Sequence, residues 1–147
     1  MFADLEGFTA WASMRDPISV FHLLETLYNG FDEIAARRSK LLCKVDKLFN
    51  LPTSHACHLS FRNKDVFKVE TVGDSYVAVC GLPEPNKNHA AVMARFAQDC
   101  AAKASETTKR LEVELGPETS LLGFRFGLHS GPVTGGVLRG QRARFQM

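Results

Sequence analysis

Three acids stand where chemistry can use them. Asp4 closes the apolar start "MFADL", Asp74 sits at the break in "KVETVGDSYVAV", and Glu70 lies in the first arm of that same stretch. Two hard carboxylates converging at one sheet edge make a magnesium site, because magnesium prefers oxygen ligands and usually sits between one or two carboxylates and a substrate's phosphates. A phosphorylated partner is therefore implied. The stretch "EGFT" after Asp4 fits the same chemistry: Gly7 lets the backbone approach closely, and the N–H groups of Phe8 and Thr9 at a helix start attract phosphate oxygens. Taken singly, Asp4 also reads as a helix cap and Asp74 as an ordinary turn residue, and each of those roles is commoner than metal binding.

The elements that must bring these acids together follow from periodicity. "MFADL" reads as a strand end, and Asp16-Pro17 starts a helix with proline at its first position. Ile18, Phe21, Leu24, Tyr28, Phe31 and Ile34 then recur at helical spacing as far as Arg37 and Arg38. Residues 66 to 72 and 75 to 80 alternate around Gly73-Asp74 as a β-hairpin with an acid at its tip. A long Ala-rich helix begins at Asn88 and stops at Gly116-Pro117, and "LLGFRFGLHSGPVTGGVLRG" reads as a strand, a glycine-rich turn and a second strand. The first six elements of the order β-α-β-β-α-β-β match an α+β fold of the ferredoxin-like, split βαβ kind, an antiparallel sheet with helices on one face, here expected to be incomplete at the C-terminus.

Composition bounds the function class. With 147 residues, 45% hydrophobic content and a net charge of +2, the chain reads as a single domain with a real core and no demand for a nucleic-acid partner. No apolar stretch has the length of a membrane span, and the first residues lack the pattern of a signal peptide, so the domain is expected to work in the cytosol or facing it. The four cysteines, Cys43, Cys57, Cys80 and Cys100, form no CxxC pair and are expected to stay reduced.

Three stretches, "FADLEGFTAWAS", "VFKVETVGDSYVAVCGLP" and "FRFGLHSGPVTGGVL", resemble the consecutive signature motifs of the class III nucleotide cyclase catalytic domain, in the right order. The resemblance implies the ferredoxin-like fold, active sites at the interface of a head-to-tail dimer, and conversion of a nucleoside triphosphate to its 3′,5′-cyclic monophosphate and pyrophosphate. It implies two ions, Mg2+ or Mn2+, held by Asp4 and Asp74 with help from the carbonyl of Leu5, and a triphosphate turn at Gly7, Phe8 and Thr9. Such ions suit an in-line attack of the ribose 3′-oxygen on the α-phosphorus, lowering the pKa of the hydroxyl and neutralising the departing pyrophosphate. The chemistry therefore needs placed acids more than a nucleophile.

The same resemblance sets Glu70 and Gln146 against the purine. A carboxylate accepts only, so Glu70 suits the N1–H and 2-amino donors of guanine, where adenylate cyclases present a Lys. Gln146 falls where guanylate cyclases have Cys and adenylate cyclases Asp, and its amide serves either base. GTP is thus the expected substrate, and a second copy or another cyclase domain the expected partner, with no membrane contact by this domain itself.

Departures from the pattern shape the remaining expectations. Residues 39 to 65 interrupt the junction between the first long helix and "VFKVET", and read as a separable insert within a domain spanning 1–147. The Asn and Arg that the family places after its last signature fall beyond "RARFQM", so the chain by itself is expected to show no cyclase turnover. A non-catalytic cyclase homology module, which binds nucleotide or regulates a partner cyclase, is the alternative. Cys43, His55, Cys57 and His58 lack the paired spacings of a zinc site. Trp11 and Phe21 read as core, His129 as a structural histidine in a strand, and Arg139, Arg142 and Arg144 as a solvated hairpin face.

Overall fold

The computed structural model describes residues 1–37, 66–82, 84–138 and 144–146. The insert expected at 39–65 lies outside the described residues, and so do the four residues weighed for zinc.

The chain runs β1 (Phe2–Glu6), α1 (Phe8–Ser13), α2 (Pro17–Arg37), β2 (Phe67–Val72), β3 (Ser75–Val79), α3 (His89–Leu115), a 3-10 turn (Thr119–Leu121), β4 (Gly123–Gly127), β5 (Gly136–Leu138) and β6 (Arg144–Gln146). Four strands form one antiparallel sheet in the order β2-β3-β1-β4. That order is the ferredoxin-like one expected from the element sequence. A separate two-stranded antiparallel ladder joins β5 to β6.

Local sequence explains the boundaries. The Asp16 carboxylate accepts from the Ser19 N–H at 3.0 Å and from its hydroxyl at 2.6 Å, capping α2 just before Pro17. Gly116, at φ 88, ends α3 in a conformation that a side chain resists. In the hairpin only Gly73 takes a positive φ, of 60, which is the pattern of a turn with glycine at its first central position.

The core lies between the helices and one sheet face. Ala3 and Leu5 of β1, Tyr76 and Ala78 of β3, and Phe124 and Phe126 of β4 point to it in strict alternation. Phe31 of α2 is fully buried at its centre, edge-on to Tyr76 at 5.4 Å and to Phe124 at 5.1 Å. Such aromatic pairs add directional contact to the buried area.

Two expectations about α2 and β4 need correction. Ile18 and Phe21 are 81% and 72% exposed, whereas the buried stripe runs through Leu23, Leu27, Phe31 and Ile34. The first turns of α2 lie against the last turns of α3, where His22 meets Glu114 at 3.4 Å, and this leaves Ile18 and Phe21 in solvent. His129 is exposed and outside the strand, because β4 ends at Gly127 opposite Phe2. Trp11 is buried as expected, its indole N–H donating to the Thr119 hydroxyl at 3.1 Å.

Candidate metal and nucleotide site

The sheet face away from the core carries the acids. Cross-strand register sets Asp4 between Ser75 on β3 and Arg125 on β4. The Ser75 hydroxyl donates to Asp4 Oδ1 at 3.1 Å, and Arg125 Nη2 donates to Oδ2 at 2.6 Å. The Arg125 guanidinium, with help from Ser75, holds the Asp4 carboxyl below its ordinary value even though partial desolvation acts the other way. Asp4 caps no helix. The N-cap of α1 is Gly7, and no side chain caps it.

Asp74 follows Gly73 in the turn that starts β3, one residue beyond the strand position opposite Asp4. The turn is tied down from the helix side, where the Tyr28 hydroxyl donates to the Gly73 carbonyl at 3.1 Å. Burial, and then the negative charges of Asp74 and Asp4, push the Tyr28 hydroxyl well above its ordinary value. Asp4, by its hydrogen bond and its charge, raises the Arg125 pKa, and the charges of Glu6 and then Asp74 add to it. Both carboxylates thus act on the same guanidinium and the same phenol.

The Leu5 backbone completes this corner. Met1 and Ala78 exchange hydrogen bonds across β1 and β3. Alternation then turns the N–H and C=O of Ala3 and Leu5 towards the same β3 side. At Leu5 the continuing register position is Asp74, in the turn. Two carboxylates and a carbonyl are an all-oxygen donor set, which fits magnesium or manganese. Among the described residues no group of three or more His, Cys, Asp or Glu side chains could hold a metal. Magnesium held by one or two carboxylates usually takes its further ligands from water or a substrate's phosphates.

Gly7 adopts φ 79 between β1 and α1, and a Cβ there would meet Leu122 at an unstrained 3.7 Å, so its backbone conformation is what calls for glycine. Phe8 packs partly buried on the core, and Thr9 is exposed. Glu70 lies opposite Val77 on the same open face as Asp4, two strands and one row away, roughly 12 Å at sheet spacings. Gln146 stands opposite Gly136 in the two-stranded ladder, apart from the sheet that carries Glu70.

Arg125, Ser75 and Tyr28 were not singled out from the sequence. A charge between two phenylalanines in "GFRFG" signals an open sheet face, but only the β1–β4 register shows that it meets Asp4.

The profile of the adenylate and guanylate cyclase catalytic domain matches residues 1–50 and 54–147. The chain belongs to that family. It is 36% identical over 138 residues to human retinal guanylyl cyclase 2, covering 93% of this chain and 10% of the relative. The chain thus spans about a tenth of the length of the curated relatives it matches. It is similar to the guanylate cyclase domain of RhGC from Catenaria anguillulae, solved in complex with GTP, with a TM-score of 0.64 and 28% identity over 98% of this chain and 61% of the other. It is also similar to the non-canonical dimeric guanylyl cyclase domain of the RhoGC fusion protein from Blastocladiella emersonii, at a TM-score of 0.63 and 28% identity over 98% of this chain and 62% of the other. Cyclase domains of this family are generally dependent on a divalent metal. Among the described residues no helix is long and apolar enough to cross a membrane.

Proposed function

We propose that the chain is the catalytic domain of a guanylate cyclase, converting GTP to 3′,5′-cyclic GMP and pyrophosphate in cyclic-nucleotide signalling. The observation that carries this reading is the strand register that sets Asp4 beside the start of β3, next to the Gly73-Asp74 turn, with Glu70 opposite Val77 on the same open face. Asp4 and Asp74 hold Mg2+ or Mn2+, and the bound ions would polarise the attacking 3′-hydroxyl and offset charge on the leaving pyrophosphate. Gly7, Phe8 and Thr9 cradle the triphosphate. Arg125, released from Asp4 when a cation takes that carboxylate, is within the same corner to meet phosphate oxygen. Tyr28 keeps the hairpin tip in place and stays protonated throughout.

Glu70 accepts from guanine's N1–H and 2-amino group, and Gln146 meets O6. Phe2 and Val72, 65% and 59% exposed on the open face, give it apolar surface that a second copy would cover. The partner is a second cyclase domain laid head to tail on this face, in a homodimer or a heterodimer. The domain spans 1–147 with a separable insert at 39–65, and works in the cytoplasm or on the cytoplasmic side of a membrane protein.

The test is turnover by the intact protein, residues 1–147 continued through the Asn and Arg of the family pattern, given equal GTP and ATP with Mn2+ or Mg2+. Cyclic GMP in excess over cyclic AMP, with one pyrophosphate per cyclic product and no turnover in Asp74→Ala, is the expected result. An Asp74→Ala protein that still cyclises GTP overturns the assignment.

A further inference from the structure

The strand that presents Glu70 contains a structural contradiction. Successive side chains of a strand alternate faces, so Lys68 and Glu70, two residues apart, belong on the same side. In the sheet they do not. Lys68 pairs with Ala78, which faces the helices and is 1% exposed, whereas Glu70 pairs with Val77 on the open face. The register shifts between them, leaving Val69 as the extra residue of a β-bulge.

On the helix side Lys68 is held twice. Its Nζ donates to Asp32 Oδ2 of α2 at 2.7 Å and lies 5.1 Å from the centre of the Tyr76 ring. Asp32 is fixed in turn, since the Tyr76 hydroxyl donates to its other oxygen at 2.8 Å and Tyr76 is fully buried. A lysine anchored there, followed by a regular strand, would carry the Glu70 carboxylate towards the helices. The bulge is what lets both residues keep their places.

We infer that Lys68 and Asp32 are positioning residues for base selection: their ion pair, braced by Tyr76, pins the bulge at Val69 and so aims Glu70 onto the open face. Neither touches the nucleotide. The inference rests on the guanylate cyclase reading of Glu70, and base preference is where it differs from a role in stability. Loss of folded protein lowers turnover of GTP and ATP together, whereas a misaimed Glu70 weakens GTP alone.

The experiment measures KM and kcat for GTP and for ATP in the intact protein and its variants. Lys68→Met and Asp32→Asn should each raise the KM for GTP by about tenfold and leave that for ATP near its starting value, with Lys68→Arg restoring most of the preference. Glu70→Gln should remove the preference by itself, and adding Lys68→Met to it should change the GTP-to-ATP ratio no further, the mark of residues acting through one another. If the unaltered protein takes GTP and ATP alike, the guanine reading fails and the aiming of Glu70 fails with it. If it prefers GTP, and Glu70→Gln abolishes the preference while Lys68→Met and Asp32→Asn keep it, the guanine reading stands and this inference is overturned.

Discussion

The two faces of the four-stranded sheet are made by the same strands and have opposite characters. Facing the helices, Tyr76, Phe31, Phe124 and Phe126 interlock, and the charged residues that reach this side, Lys68 and Asp32, are paired to each other and braced by a buried tyrosine. On the open face stand Asp4, Arg125 and Glu70, with exposed Phe2 and Val72 around them. The ion pair of Asp4 with Arg125 is solvent-exposed on both sides, 39% and 65%, and a pair of that kind adds little to stability. A period of two lets a strand separate folding from chemistry residue by residue. The Asp4 carboxylate can therefore lose its guanidinium partner without disturbing the core behind it.

Substitutions on each side should separate cleanly. Phe31→Ala opens a cavity at the centre of the helix face and should cost about 3–5 kcal/mol of stability in denaturant unfolding. Its base preference should be unchanged in the protein that remains folded. Glu70→Lys on the open face should leave the unfolding midpoint nearly where it was and shift selectivity instead. The ratio of cyclic GMP to cyclic AMP from equal GTP and ATP should fall by on the order of a hundredfold, because guanine's donors lose their acceptor. With Gln146→Asp added, ATP should become the better substrate, and an unchanged ratio in that double variant would place base selection elsewhere.

The smallest effect concerns pH. Asp4 titrates below its ordinary value of 3.8 in the folded chain, chiefly through Arg125. Its contribution to stability is therefore present above about pH 3.8 and is lost as pH falls through the lower folded value. In metal-free protein, Arg125→Gln should let the Asp4 carboxyl titrate higher, as followed by NMR, and should flatten the acid limb of the stability curve slightly. An unmoved Asp4 titration would mean that Arg125 does not hold it.

What the sequence shows and what it hides divides along the same line. The hairpin tip was legible because Gly73-Asp74 interrupts an alternating run, and a turn of that kind is fixed by neighbouring residues. Strand order followed from element order, since split βαβ units leave few ways to pair four strands. The bulge at Val69 was not legible. Lys68 and Glu70 look like one face until the partner strand is in register, and a bulge is a property of two strands. The meeting of Arg125 with Asp4 is likewise a register fact, linking residues 121 positions apart. Along α2, helical spacing gave the right kind of element but placed Ile18 and Phe21 in the core, because periodicity does not show which end of a helix runs past the sheet.

If Asp4 and Asp74 form one cation site for a nucleotide's phosphates, direct binding reports it without turnover. Mn2+ would be titrated into the intact protein with a non-cyclisable GTP analogue, the bound ion being followed by electron paramagnetic resonance. Asp4→Ala and Asp74→Ala should each weaken Mn2+ binding by about a hundredfold or more with little change in unfolding midpoint. Wild-type affinity for Mn2+ in the folded Asp74→Ala protein would contradict the shared site.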